Sequence, residues 1–121
     1  MKEILSTLVI LTKGTYAHHD DPYTGILLAN AVAAFQEKST VLLVDDGVYM
    51  AVKGQDPTAL GLPNFIKYIG DLRELQGRVL ALNDSLEKRY LDAKQLAEGV
   101  EVIDMEGLCQ EIRDHQITLT F

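Results

Sequence analysis

The feature that most constrains the fold is the segment from Thr40 to Gln55, in which an apolar run meets a polar turn. Residues 41–44 are continuously apolar and rich in β-branched side chains, and an Asp-Asp-Gly turn follows them directly. Such a short run predicts a strand buried on both faces. Ligands of open α/β sheets bind at the carboxyl ends of strands, so Asp45 and Asp46 are candidate site residues. Residues 48–53 are then predicted to form a short helix that leaves the sheet.

Similar apolar runs recur along the chain, with helical patterns between them. We predict further strands over residues 4–11, 78–82, 100–103 and 117–121. Helices are predicted over residues 22–35, 62–70 with a short tail to residue 75, 86–90, 92–98 and 105–114. Alternating strands and helices imply right-handed crossovers and a mainly parallel sheet. The 121 residues therefore predict one α/β domain of flavodoxin size, a three-layer α/β/α sandwich with a five-stranded sheet.

Local residue chemistry predicts how several helices begin, end and pack. Asp20 or Asp21 is expected to cap the first helix, with Pro22 in its first turn. Gly70 is expected to end the second helix, and Asp84 or Ser85 to cap the third. In the last helix, Leu108, Cys109 and Ile112 are predicted to face the sheet, because they follow helical spacing.

Charge and cysteine content restrict the function classes. The formal net charge is −7 and Lys and Arg form no run, so a nucleic-acid-binding surface is not expected. A single cysteine excludes an internal disulfide and fits a reducing compartment. No signal peptide is expected, because the first residues lack a small-residue cleavage site, and no apolar stretch approaches the roughly 20 residues that span a bilayer. We expect a soluble cytoplasmic protein without membrane contact.

Two polar segments contain residue types found in ligand sites. Lys13, Gly14, Thr15 and Tyr16 follow the first strand and could hold an anion together with Asp45 and Asp46, although an ordinary polar loop also explains them. The second segment, His-His-Asp-Asp at residues 18–21, contains metal-ligand types. Adjacent side chains point apart, so helix capping, exposed histidines or an oligomer contact is favoured over a metal site. No cofactor is expected.

Three shorter motifs favour structural roles. Asp45 and Asp46 are predicted to form a turn that ends the strand, in which Gly47 relieves backbone strain. Ser85 begins a Ser-x-x-Lys pattern that lacks the companion motifs of acyl-transfer enzymes, so a helix cap is favoured. Cys109 is predicted to be a buried, unreactive thiol, since it lies between apolar residues and has no neighbouring cation.

Several of these blocks together resemble the DsrE/DsrF/DsrH family of sulfur-relay proteins, most of all the DsrF (TusC) subunit. The central block reads Asp-Gly-Val-Tyr at residues 46–49, with Gly-Gln at residues 54 and 55. Further similar pieces are the Gly-Thr-Tyr loop, Asn64-Phe65, Gly70-Asp71, Asp84-Ser85-Leu86-x-x-Arg89, residues 100–104 and the last strand with Phe121. The pieces are short, but they cover most of the chain in the same order and spacing.

The resemblance implies a role in a sulfur-transfer complex. DsrE, DsrF and DsrH, and the similar TusD, TusC and TusB, assemble as hexamers of paired heterotrimers. These pass persulfide sulfur between carriers, for tRNA thiolation or sulfur oxidation. The persulfide cysteine belongs to the DsrE-type subunit, and Leu82 stands at the matching position here. The resemblance therefore implies a DsrF-like assembly or regulatory subunit that is not catalytic by itself.

Partners and alternatives follow from this hypothesis. The chain is expected to form a homo-oligomer (dimer, trimer or hexamer), to bind DsrE-like and DsrH-like subunits, or both. The predicted contacts are exposed aromatic and apolar side chains, namely Tyr16, Tyr23, Val48, Tyr49 and Met50. One alternative is a stand-alone homo-oligomer that binds a small molecule or anion at the strand edge. Another is a sulfurtransferase that uses Cys109.

Overall fold

The computed structural model describes residues 5–14, 16 and 20–121. Within these residues, five strands form the sheet: β1 Ser6–Leu11, β2 Lys38–Leu43, β3 Arg78–Leu82, β4 Glu101–Ile103 and β5 Ile117–Thr120. Their order is β4-β3-β2-β1-β5, and every neighbouring pair is parallel. The predicted parallel five-stranded α/β fold is confirmed.

Helices cover both faces of this sheet. They are α1 Asp20–Ala34, α2 Phe65–Glu74, α3 Asn83–Lys88 and α4 Met105–Asp114. Short 3-10 helices cover Asp45–Ala51, Thr58–Leu60 and Ala93–Gln95. In the part of the chain that the structure describes, no helix combines the length and apolar character needed to cross a membrane.

The main core lies between the sheet and the two helices α1 and α2. Side chains of a strand alternate between the two faces, so one set of strand residues points towards these helices. Val9 of β1 and Val41 of β2 belong to this set. They lie in one cluster with Ile26 of α1 and Leu72 of α2, and all four are buried. Phe65, at the start of α2, is the largest fully buried side chain.

The opposite face of the sheet carries a smaller core beneath α4. Leu8, Leu42 and Leu80 come from three adjacent strands and are fully buried. Leu108 of α4 is partly buried and packs against them. One helix, α4, therefore packs on this face, whereas α1, α2 and, through Leu86, α3 contribute to the main core.

The side of α4 that packs on the sheet differs from the predicted side. Leu108 points inward as predicted, but Cys109 is exposed and Ile112 is 40% exposed. Glu111 and His115 face the sheet instead, with side chains only 15% and 0% exposed. The prediction was wrong because it counted apolar residues alone, whereas these two polar side chains have partners on the strands.

A polar network attaches α4 to the sheet. Nη1 and Nη2 of Arg78 donate to the Glu111 carboxylate, at 2.9 and 3.3 Å. His115 Nδ1 lies 2.7 Å from the Glu111 carbonyl oxygen, and Nε2 lies 2.9 Å from the Thr40 hydroxyl. A carbonyl can only accept, so Nδ1 carries a proton and donates to Glu111, while Nε2 pairs with the Thr40 hydroxyl. Burial lowers the pKa of Arg78, but the hydrogen bond and charge of Glu111, with Glu101, outweigh burial and raise the pKa overall.

Several predicted element boundaries change. Residues 45–51 form a 3-10 helix in place of the helix predicted over residues 48–53. In α2, Gly70 lies inside the helix, and the Asn64 carboxamide caps its start by accepting from the amides of Ile66 and Lys67. Asp20 and Asp21 both lie in the first turn of α1 and not before it, and residue 19 lies outside the described residues. Residue 4, the predicted start of the first strand, also lies outside them.

Candidate functional site

The carboxyl ends of β1 and β2 bring two predicted site segments into contact. A Cβ atom on Gly14 would lie 2.4 Å from the carbonyl oxygen of Asp46, and one on Gly47 would lie 1.9 Å from that of Leu11. Glycine is needed at both positions because the two backbones touch there. The two segments were predicted to meet at one edge of the sheet, and there their backbones pack directly against each other.

The turn after β2 is fixed by β3 and α3. Asp45 has a left-handed φ of 51°, which Asp adopts more readily than most residues. Gly47 does not have a left-handed φ, so it relieves this turn only by lacking a Cβ where the Leu11 carbonyl approaches. The amide of Asp45 donates to the Ser85 hydroxyl at 2.9 Å. No side chain caps α3, and Ser85 instead holds the neighbouring loop.

Arg89 completes a clamp between the β2 and β3 ends. Its Nε donates to the Asp46 carboxylate at 3.0 Å, and Nη1 donates to the Ser85 carbonyl oxygen at 3.1 Å. We call Asp45, Asp46, Ser85 and Arg89 the edge clamp. Arg89 entered the sequence analysis only through the resemblance. Its spacing of four residues from Ser85 is a detectable signal, because residues i and i+4 share one side of a helix.

Leu82 ends β3 immediately before the edge clamp. Its side chain is buried, 6% exposed, and the 3-10 helix Asp45–Ala51 and α3 follow the two adjacent strands at this edge. The position that the resemblance assigns to a persulfide cysteine is thus occupied by an unreactive side chain.

The other described residues of the predicted anion-binding segment, residues 13–16, have partners outside the edge clamp. Lys13 Nζ lies 2.6 Å from the Asp21 carboxylate, and both side chains are about half exposed. Tyr16 stacks on Phe65 with ring centroids 5.0 Å apart, and its hydroxyl donates to the Gln55 carboxamide. Burial, and then the charge of Asp56, raise the pKa of Tyr16, so the phenol stays a donor at neutral pH. Thr15 lies outside the described residues, and an anion-binding role for this segment stays a prediction.

The residues predicted to form subunit contacts divide into two groups. Val48 and Met50 are fully buried in the main core, so the prediction that they are exposed is wrong. The 3-10 helix Asp45–Ala51 directs both side chains into the core. Tyr16 and Tyr23 are partly buried and pack at the margin of the core, and Tyr49 is partly exposed. Tyr23 and Tyr68 also contact each other, with ring centroids 5.6 Å apart. A hydrogen bond to Tyr23 and burial raise the pKa of Tyr68.

Two other predicted groups lie apart from the edge clamp. Cys109 is on the outer side of α4, where its thiol is exposed. His18 and His19 lie outside the described residues, so their part of the His-His-Asp-Asp motif stays a prediction. Within the described residues, no group of three or more His, Cys, Asp or Glu side chains could hold a metal ion.

Comparison with known proteins identifies the family of this chain. The DsrE/DsrF-like family model matches residues 6–121. The chain belongs to the DsrE/DsrF-like family. The sequence resemblance is thereby confirmed at family level, and the edge clamp joins two of the blocks that carried it.

Individual relatives of this DsrE/DsrF-like chain come from bacteria and archaea. The intracellular sulfur oxidation protein DsrF of Allochromatium vinosum is 34% identical over 104 residues, 80% of this chain and 76% of that protein. An uncharacterized protein of Methanopyrus kandleri is 25% identical over 113 residues, 93% of this chain and 91% of that protein. The crystal structure of the ychN protein from E. coli has a TM-score of 0.83 at 22% identity, covering 97% of this chain and 100% of that one.

Proposed function

We propose that this chain is a DsrF-like subunit of a cytoplasmic sulfur-relay complex, in which it assembles or regulates and does not itself carry sulfur. Family membership and the 34% identity to a DsrF named for intracellular sulfur oxidation support the sulfur-relay role. The pathway served, sulfur oxidation or tRNA thiolation, depends on the carrier proteins that the complex meets.

The observation that carries the non-catalytic assignment is Leu82 beside the edge clamp. A persulfide carrier needs a thiolate with room for a second sulfur atom and for an incoming carrier. Here the end of β3 presents a buried leucine. The adjoining loops are held by the Asp45–Ser85 hydrogen bond and the Asp46–Arg89 ion pair. The residues of this edge thus serve to fix loop shape, which is what a partner subunit would recognise.

The same edge presents side chains suited to a partner. Tyr90 directly follows the edge clamp residue Arg89 and is 94% exposed. Leu60 lies in the connection from β2 to α2, which crosses the same edge of the sheet, and is 78% exposed. Tyrosine is enriched at protein interfaces, because its ring gives contact area while its hydroxyl remains hydrogen-bonded. We therefore place the DsrE-like or DsrH-like partner at the carboxyl edge.

A second candidate function, sulfur transfer through Cys109, is favoured by one observation: the thiol is exposed. Its surroundings are less favourable. Arg113, one turn further along α4, donates to the Gln110 side chain, and Glu106 lies one turn before. A reactive thiolate needs a more positive environment than this.

Co-expression with DsrE-like and DsrH-like subunits tests both candidates. We expect a stable complex whose persulfide transfer is unchanged by Cys109→Ser, because Cys109 carries no sulfur. Tyr90→Ala should weaken assembly, while Leu75→Ala, an exposed apolar side chain at the far end of α2, is the control and should leave assembly unchanged. Loss of transfer in an assembled Cys109→Ser complex would establish the second candidate. Failure to assemble with either subunit would contradict the proposed role and favour a stand-alone anion-binding homo-oligomer.

A further inference from the structure

The edge strand β5 is short, with four residues, but it lacks the side chains that normally prevent an edge from pairing. All four of its residues are exposed, and it is paired on one side only, with β1. Residues 117–121 contain no charge, proline or glycine. Edge strands of soluble proteins are usually protected by charged side chains, proline or a bulge. β5 is therefore open to another strand.

The backbone groups available on this edge are those of Thr118 and Thr120. The amide of Phe121 donates to the Ile10 carbonyl at 2.9 Å, and its carbonyl accepts from the Thr12 amide at 3.0 Å. Successive residues of a strand direct their backbone groups to alternate sides. Ile117 and Leu119 thus bond to β1 as Phe121 does, while the backbone groups of Thr118 and Thr120 point outward. No other described strand lies on that side.

An apolar groove runs along β5 on the α1 side of the sheet. It has a volume of about 420 Å³, and its lining includes Ile117 and Leu119 of β5 and Phe35 beyond the end of α1. Phe35 is 76% exposed, and the single charged residue of the lining is Glu37. The groove thus extends an apolar surface to the open edge of the sheet.

We propose that a second copy of this chain pairs antiparallel with β5 about a two-fold axis through Leu119. In this register, Leu119 faces Leu119 of the second copy, Ile117 faces Phe121, and Thr118 faces Thr120. The apolar pairs then lie on the groove side, because β-strand neighbours directly opposite each other share a face. The two threonine pairs exchange the four outward backbone hydrogen bonds.

The identity of the occupant follows from this self-complementarity. The register pairs residues 117–121 with themselves, so apolar side chains meet apolar ones and hydroxyls meet hydroxyls. A shift of the axis to Thr118 would draw in His115, which is buried and bonded to Thr40. A chain of net charge −7 repels itself least through an uncharged strand. The proposal does not depend on the sulfur-relay role.

Charge substitutions on the paired threonines test the register. In the proposed dimer, residue 118 of each copy faces residue 120 of the other. Thr118→Lys/Thr120→Lys therefore forms two facing lysine–lysine pairs, whereas Thr118→Lys/Thr120→Glu forms two facing lysine–glutamate pairs. We expect the dimer Kd, measured by sedimentation of the purified full chain, to rise about tenfold in the first variant relative to the second. Val102→Lys, on the exposed edge strand β4, is the matched control and should leave Kd unchanged. Far-UV circular dichroism checks that each variant folds.

A cysteine at the axis gives an independent test. Leu119 forms a non-hydrogen-bonded pair with itself in this register, at a Cα separation of about 4.5 Å that a disulfide can bridge. In a Cys109→Ser background, Leu119→Cys should form a covalent dimer on mild oxidation. Thr118→Cys should do so far less, because it faces Thr120.

Two results would overturn the proposal. One is a wild-type chain that sediments as a monomer at every concentration. The other is an assembly with the same Kd in both charge variants and no selective Leu119→Cys crosslink. Either result leaves capture of DsrE-like or DsrH-like subunits untouched, so failure of this proposal is separable from failure of the proposed function.

Discussion

The two faces of the sheet are built in different ways. The face under α1 and α2 is closed by apolar side chains from three strands, three helices (α1, α2 and, through Leu86, α3) and the 3-10 helix Asp45–Ala51. The face under α4 has a small apolar centre, and its helix is attached at one end by Arg78, Glu111 and His115. The outer side of α4 leaves Met105 48% exposed and Ile112 40% exposed.

This difference shows that one sheet can hold its two layers by different interactions. Apolar burial stabilises the first layer in proportion to the area removed from water. The second layer depends more on hydrogen bonds whose partners would be left buried and unpaired if either side were removed. Substitutions on the two faces should therefore have different sizes and different causes.

The largest expected effect is on the first face. Leu72→Ala removes a fully buried side chain of α2 and should lower the free energy of unfolding by about 3 kcal/mol, since it leaves a cavity. Leu108→Ala, at a partly buried position of α4, should cost about half as much. Urea denaturation measures both, with the exposed Leu75→Ala as control. Equal costs at Leu72 and Leu108 would remove the distinction between the faces.

An intermediate effect is expected at the polar attachment of α4. Thr40→Val keeps the shape of the side chain but removes the hydroxyl that pairs with His115 Nε2. Nε2 of the buried imidazole then lacks a partner, which should lower the free energy of unfolding by about 1–2 kcal/mol in urea denaturation. Thr118→Val, the same change on the exposed strand β5, should be nearly neutral. A neutral Thr40→Val would indicate that apolar contacts alone hold α4.

The smallest energetic effect, but the clearest contrast, is expected from thiol accessibility. Cys109 on the outer side of α4 should react with a thiol reagent in the native protein within about tenfold of its rate in denaturant, because it is exposed. A cysteine at Leu72, in a Cys109→Ser background, should react only upon unfolding. Protection of the native Cys109 would mean that a second copy or another segment covers this side of α4.

The order of strands and helices follows from local patterns. Residues 78–82 and 105–114 were predicted with the same limits as β3 and α4. Each run carries its own periodicity and ends at its own turn residues, so sequence alone suffices to define it. The short 3-10 helices were missed or misread, because one or two turns give too few residues for a period.

The candidate site was only partly predictable. Asp45 and Asp46 were placed at the correct sheet edge by topology, since parallel strands end together. The roles of Ser85 and Arg89 were not predicted. Their partners lie 40 and 43 residues away, and helix capping was the only local alternative visible in the sequence.

The sequence by itself determined the α/β class, the parallel sheet and, through its motifs, the DsrE/DsrF-like family. Tertiary structure alone decided which side of α4 meets the sheet. Helical spacing favoured Cys109 and Ile112 as the residues that face the sheet. Glu111 and His115 face it instead, because their hydrogen-bond partners Arg78 and Thr40 lie on the strands, 33 and 75 residues away in the chain. Periodicity measures how apolar a residue is, whereas a buried polar side chain is stable only where a distant partner satisfies it.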